Sequence, residues 1–211
     1  LELHLLDLAT GRVMPLTSAG AVNTEPRWSP DGQRLAWVST EGSGHFHVFL
    51  GELGADGRLR SSRLTPEHRA AEPRYYYGPV DHEISPTWTR DGKALLIVSN
   101  RDTPHGTGGI WRLELADPAH PVRIHDEETT WQARPELSPE GRRLAFASYA
   151  GRAWHQLWVR PLEAGPAFPL TYGDFDAREP RWSPEGQRLA YVSTASGTPA
   201  LWVFDFAAGG R

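Results

Sequence analysis

Side chains capable of chemistry gather in a few short stretches of this 211-residue chain. His45-Phe46-His47 sets two imidazoles at i and i+2, which on a strand share one face and have metal-ligand spacing. Asp81-His82-Glu83 flanks an imidazole with two carboxylates, a set that can hold a divalent cation or move a proton. On an extended segment His82 points away from its neighbours, so the three cannot ligate one ion together. The same triplet can instead tie down a loop by hydrogen bonds. Gly106-Thr107-Gly108-Gly109 has the composition of a phosphate loop, but it runs into an apolar strand at Ile110-Trp111 rather than into a helix. Neither G-x-S-x-G nor H-E-x-x-H occurs, so the serine-hydrolase elbow and the paired-histidine zinc motif are missing. Arg58, Arg60 and Arg63 read as a solvated strand face, because a nucleic-acid surface would add interleaved aromatics and a basic background.

The richest constellation is Arg74, Tyr75, Tyr76 and Tyr77 with Asp81, His82 and Glu83, joined further along by Arg101 and His105. Loops displayed by a rigid scaffold carry binding residues more often than the scaffold does, so these nine are the candidate ligand-binding set. The competing account makes the tyrosines a lid over an apolar gap. No catalytic residue, metal or cofactor is assigned.

The elements that must position these residues come from a repeated phrase. Residues 25–40 read EPRWSPDGQRLAWVST and residues 179–194 read EPRWSPEGQRLAYVST. Weaker copies occur at 84–100, ISPTWTRDGKALLIVSN, and at 133–149, ARPELSPEGRRLAFASY. Gly32, Gly92, Gly141 and Gly186 align the copies at spacings of 60, 49 and 45 residues, close to the repeat of a four-stranded propeller blade. Each copy predicts strand, turn, strand, with the glycine at positive φ. The apolar run after each glycine does not alternate with polar residues, so both of its faces are buried. Size alternates instead: Leu and a bulky residue share one face, and smaller residues share the other, as radially packed sheets require. A third strand follows at Ile110-Trp111-Arg112, Leu157-Trp158-Val159 and Leu201-Trp202-Val203, and a fourth closes on Leu64-Thr65 or Leu170-Thr171. In this alignment His47 and His4 fall in the tryptophan column, so a flat ring packed between blades accounts for both.

The prediction is an all-β propeller with negligible helix. A half blade spans 1–17, blades follow at 18–65, 66–125 (with an insertion) and 126–171, and an incomplete blade spans 172–211. From Leu-Thr to the next proline takes nine residues at Thr17–Pro26 and Thr171–Pro180, but twenty-one at Thr65–Pro86. That insertion carries the constellation. The connection between fourth and first strands and the one between second and third strands emerge on one face, which brings Arg101 and His105 to the same side. The loops before each first strand also supply Glu25, then Asp81 and Glu83, then Asp126, Glu127 and Glu128, then Asp174 and Asp176, an acidic rim with Arg74, Arg134 and Arg178 beside it.

With 22 basic and 26 acidic residues, the chain lacks the charge of a nucleic-acid or anionic-membrane binder. No apolar run reaches the roughly 20 residues of a membrane helix. Cysteine is absent, which removes disulfides and thiolate metal sites and leaves the redox compartment open. There is no initiator Met and no signal-peptide pattern, as expected of a mature or excised piece.

The W-S-P-D-G-x-x-L-A-x-x-S phrase, followed by L-W-V and L-T, resembles the TolB-like β-propeller family over nearly the whole chain. Blade two, PRYYYGPVDHEISPTWTRDG at 73–92 and VSNRDTPHGTGGIWR at 98–112, resembles propellers attached to bacterial amidohydrolase-type metal-dependent hydrolases. The resemblance implies a non-catalytic module that binds a protein or small-molecule ligand on its loop face, linked to a catalytic domain outside this sequence. It also favours a periplasmic or extracytoplasmic setting and a six-bladed parent ring, of which this chain is an open arc. The alternatives are the propeller of a prolyl-oligopeptidase-type serine peptidase, or a self-sufficient metal-dependent hydrolase using the blade-two loop.

Overall fold

The computed structural model describes residues 1–18, 20–72, 74, 78–103, 108–126, 133–149 and 152–207. Among them are seventeen strands and no helix. Strands β1 (His4–Leu6) and β2 (Val13–Pro15) form a two-stranded sheet. Blade one is the sheet of β3 (Asn23–Trp28), β4 (Arg34–Ser39), β5 (His47–Leu53) and β6 (Leu59–Arg63). Blade two comprises β7 (Glu83–Trp88), β8 (Ala94–Ser99), β9 (Gly109–Glu114) and β10 (Val122–His125). Blade three comprises β11 (Glu136–Leu137), β12 (Arg143–Ser148), β13 (Gln156–Pro161) and β14 (Phe168–Pro169). Blade four has three strands, β15 (Ala177–Trp182), β16 (Arg188–Ser193) and β17 (Ala200–Asp205). Every sheet is an antiparallel meander, as the all-β propeller prediction requires.

The hairpin chemistry explains the repeated phrase. Gly32, Gly92, Gly141 and Gly186 take φ of 70, 66, 76 and 71°, and each donates its N–H to the carbonyl three residues back at 2.8–2.9 Å. The hydroxyl that opens the phrase closes the turn from the other side. Ser29, Thr89, Ser138 and Ser183 accept the N–H five residues on, at 2.9–3.1 Å. A residue without a short hydroxyl would leave that N–H unpaired, which is why Ser or Thr recurs there.

The first strand of each blade carries a bulge. In blade one, Thr24 pairs with Val38 and Arg27 with Ala36, so Glu25 and Pro26 together face Trp37. Ser85-Pro86 and Glu179-Pro180 do the same in blades two and four. In blade three Ala147 donates to Ala133 and Glu136 pairs with Ala145, leaving Arg134 and Pro135 opposite Phe146. The residue before each proline has positive φ: Glu25 55°, Ser85 56°, Arg134 43° and Glu179 57°. Proline lacks an N–H and is tolerated at a bulge, where no ladder bond is lost.

The alternating sizes interlock the blades. Leu189 and Tyr191 of blade four pack on Ala145 and Ala147 of blade three. Leu144 and Phe146 pack on Leu96 and Val98, Leu95 and Ile97 on Ala36, and Leu35 and Trp37 on Leu3 of the two-stranded sheet. Each blade therefore turns its larger face to the blade before it. The smaller face of blade four meets solvent, with Leu201 76 % and Val203 55 % exposed. The sheets of β1–β2 and β15–β17 share no strand pairing.

One expected alignment is corrected. His47 pairs with Ser39, in the row where Ser99 faces Gly109, Ser148 faces Gln156 and Ser193 faces Ala200. Phe49, opposite Trp37, is the residue in the column of Trp111, Trp158 and Trp202. His47 thus sits two residues earlier than its size suggests, while His4, opposite Pro15 as Trp158 is opposite Pro169, keeps its place.

Candidate functional site

The insertion before β7 and the β8–β9 connection meet on one face of blade two. Their junction is Asp81, whose side chain is 1 % exposed. Arg74 Nη2 donates to Asp81 Oδ1, Arg101 Nε approaches Oδ2 at 3.3 Å, and His68 Nδ1 lies 2.6 Å from Oδ2. A second bond joins the loops, from the His82 N–H to Asn100 Oδ1 at 2.9 Å. Arg101 also donates to the Ala119 carbonyl at 3.2 Å, and Arg123 reaches the Arg101 carbonyl at 3.3 Å. A buried carboxylate with several cationic donors is an anchor, because losing any partner strands a charge in a poorly solvated place. Beside it a cavity of about 230 Å³ is lined by Ala70, Ala71, Glu72, Arg74, Asp102 and Thr103. Asp102 has φ 54°, in the left-handed region that Asp enters more readily than most residues with a side chain.

Asp81 and Glu83 diverge. Glu83 turns inward to His47, with His47 Nδ1 3.4 Å from Glu83 Oε2 and both side chains no more than 2 % exposed. His47 Nε2 has no hydrogen-bond partner among the described residues. His45 is exposed outside β5 and lines an open groove with Glu41, Arg63 and Glu67, so the His45–His47 pair does not converge. Among the described residues no group of three or more His, Asp or Glu side chains is placed to hold a metal ion. The two carboxylates of the blade-two triplet go to different partners, Asp81 to Arg74 and Arg101 and Glu83 to His47, which argues against its use as a single catalytic or metal-binding unit. Tyr75, Tyr76, Tyr77 and His105 lie outside the described residues, as do Gly106, Thr107, Glu127 and Glu128. Gly108, at φ 89°, leads into β9 as a hairpin loop would.

A second grouping was not singled out from sequence. The bulged first strands point charged residues into the space between the blades. Arg134 donates to Glu25, to Ser85 Oγ at 2.6 Å and to Glu179 Oε1 at 3.1 Å, so one side chain ties four blades together. Glu25 in turn accepts the Ser85 N–H at 2.6 Å. Two residues on, Arg27, Thr87, Glu136 and Arg181 line a cavity of about 280 Å³ with Trp28 and Trp88. Burial pushes the Glu136 carboxyl above its usual range, against the opposing pull of Arg181, the Trp182 N–H and Arg27. The sequence did contain a signal, a charged or polar residue on each side of the same proline: Glu-Pro-Arg, Ser-Pro-Thr, Arg-Pro-Glu and Glu-Pro-Arg. The carboxylates of the expected acidic rim mostly have arginine partners: Glu25 has Arg134, Asp81 has Arg74 and Arg101, and Asp176 has Arg178 at 3.7 Å, with the His155 ring nitrogen at 3.1 Å.

Set against solved structures, this arrangement superposes on TolB from Acinetobacter baumannii with a TM-score of 0.72 and 21 % identity, covering 96 % of this chain and 45 % of that one. A putative TolB from Agrobacterium tumefaciens gives 0.69 at 20 % identity, covering all of this chain and 72 % of that one. The fold is that of a TolB-like β-propeller. Sequence comparison agrees: Tol-Pal system protein TolB of Francisella tularensis is 24 % identical in an alignment that covers 81 % of this chain and 46 % of that protein. The TolB-like chain thus spans about half the length of the curated relatives it matches. A puromycin-hydrolyzing peptidase from Mycobacterium tuberculosis shares the blades at a TM-score of 0.61 and 18 % identity, over 94 % of this chain and 30 % of that one. No family model matches the sequence.

Proposed function

We propose that this TolB-like chain is a non-catalytic recognition module, an accessory part of a larger bacterial hydrolase, and that it binds a protein or small-molecule ligand on the loop face of blade two. The observation that carries the reading is the Asp81 anchor, which fixes two long connections around the cavity at Ala70, Ala71, Glu72, Arg74, Asp102 and Thr103. Pre-positioned loops lose little freedom on binding, so a buried ion cluster beneath them suits recognition. The lining combines the small residues Ala70 and Ala71 with the carboxylates of Glu72 and Asp102, a surface complementary to an apolar segment bearing a positive charge.

The blade-two phrase supports an amidohydrolase-type parent. The likeness to the puromycin-hydrolyzing peptidase supports the second reading, the propeller of a serine peptidase. The parent reading frame separates them: a metal-binding H-x-H barrel downstream favours the first, and a G-x-S-x-G domain the second.

The binding reading is tested by panning a random twelve-residue peptide library on the immobilised chain and titrating the enriched peptides against wild type and Asp102→Lys. Enrichment of basic peptides that bind wild type and lose affinity for the variant is expected. Failure to enrich, or equal binding to the variant, would remove the proposal.

A further inference from the structure

The first strands present two layers of residues to the inner space. The layer before the prolines holds Glu25, Ser85, Arg134 and Glu179, with one surplus negative charge; the layer after them holds Arg27, Thr87, Glu136 and Arg181, with one surplus positive charge. The outer cation, Arg134, is fully engaged by Glu25, Ser85 and Glu179. In the inner layer Arg181 lies 3.9 Å from Glu136 and 3.5 Å from Glu179. Glu136 also accepts the Trp182 N–H at 3.1 Å. Arg27 differs: among the described residues its guanidinium has no carboxylate within ion-pair distance, and its one hydrogen bond goes to the neighbouring Pro26 carbonyl at 3.3 Å. It is partly buried and lines the 280 Å³ cavity together with Arg181, Trp28 and Trp88.

A partly buried guanidinium beside a second one, with Glu25, Glu136 and Glu179 acting on it only from beyond ion-pair distance, keeps its donors available for a directly bonded anion. We infer that the cavity is a carboxylate-binding site for an acidic peptide segment, with Arg27 as anchoring cation and Arg181 as its partner. The lining residues carry one net positive charge, Arg27 and Arg181 against Glu136, which a single carboxylate neutralises. A doubly charged phosphate would overshoot and meet Glu136. The volume matches one side chain or chain end rather than a drug-sized ligand. Trp88, 9 % exposed, gives the cavity one apolar side, where an ion pair is less screened than in open water. Burial first, then the charge of Arg181, draws the Arg27 pKa down, against the opposing pull of Glu25, Glu179 and Glu136. The site lies at the opposite end of the first strands from the Asp81 loops and does not depend on the loop-face reading.

The indoles of Trp28 and Trp88 provide the readout. The chain is titrated, with tryptophan fluorescence recorded, using acetyl-Gly-Glu-Gly-amide, acetyl-Gly-Ala-Ala with a free carboxylate, acetyl-Gly-Gln-Gly-amide and inorganic phosphate. Saturable quenching by either carboxylate peptide, and not by the glutamine peptide, is expected; the first two probes separate side-chain from terminal carboxylates. Arg27→Gln should weaken binding about tenfold or more, Arg27→Lys less, and the quench should vanish in Trp28→Phe with Trp88→Phe. Should Arg27→Gln lose its circular-dichroism signature, Arg27→Lys and the salt dependence of wild type decide. Equal binding of the glutamine peptide, tighter binding of phosphate, or affinity insensitive to both Arg27 variants and to salt would each overturn the inference.

Discussion

Arg134 of blade three holds the carboxylate of Glu25 in blade one, 109 residues earlier in the chain. The same guanidinium reaches Glu179 of blade four, 45 residues later. This side chain joins sheets that share no strand pairing. Arg134→Met should leave Glu25 without its cation and Glu179 with Arg181 alone, and lower unfolding stability by about 1–3 kcal/mol, measured by urea denaturation. A change within error would mean that the charges are already satisfied by water.

Asp81 is the deeper anchor. Asp81→Asn removes the anion that Arg74 and Arg101 share, leaving two guanidinium groups in a site whose carboxylate was 1 % exposed. A loss of about 3–5 kcal/mol is expected, with faster hydrogen exchange at 78–83 and 99–103. Unchanged exchange there would show that the loops hold without the cluster.

Two glycines with similar backbone angles should respond differently. Gly32 has φ 70° and open space where a Cβ would stand, so Gly32→Ala should cost only the left-handed strain, about 1 kcal/mol. At Gly108, with φ 89°, a Cβ would lie 1.9 Å from the Ser99 carbonyl oxygen and 2.3 Å from the Asn100 Cα. Gly108→Ala must displace backbone and should cost several times more. Equal thermal melting points for the two variants would contradict the close approach of these loops.

Glu136 gives a pH signature. Its folded-state pKa is raised chiefly by burial, so the folded chain binds this proton more tightly than the unfolded chain does. The resulting contribution is complete below the ordinary glutamate range and is lost as pH rises through the raised value. Glu136→Gln mimics the protonated form. Its stability relative to wild type should therefore increase as pH is raised from about 4 to about 8. A difference independent of pH would refute the assignment.

The exposed face of blade four should be adhesive. Leu201, Val203 and Val192 lie on its smaller side without a blade against them, and apolar strands so presented favour association. Sedimentation of residues 1–211 should show concentration-dependent oligomers that Leu201→Lys reduces. A monomer at all concentrations would show that the face is inert.

Much of this was legible from the residues. Ser29-Pro30-Asp31-Gly32 and its copies carry local turn chemistry, which does not depend on distant contacts, so the hairpins and their positive-φ glycines followed directly. The insertion at Thr65–Pro86 was visible as a length, and its meeting with Arg101 followed from strand order. His47 was misaligned because ring size drew it to the tryptophan column. The true register runs through the small buried residues Ser39, Ser99, Ser148 and Ser193, which carry little signal one at a time. The inner charges were hidden for another reason. A residue before proline is ordinarily extended, so nothing local announces that Glu25, Ser85, Arg134 and Glu179 turn left-handed and meet.

The large-on-small seams give the assembly a direction. Every junction has the same polarity, so a blade copied whole and inserted between two others meets a matching surface on each side, whereas a reversed blade would set bulk against bulk. Residues 25–40 and 179–194, alike in all but Asp31/Glu185 and Trp37/Tyr191, sit at seams built on this one plan. Such a chain can lengthen by gene duplication without inventing a new contact. What the number of copies alters is curvature, and with it the width of the inner opening into which Arg27 and Arg134 project.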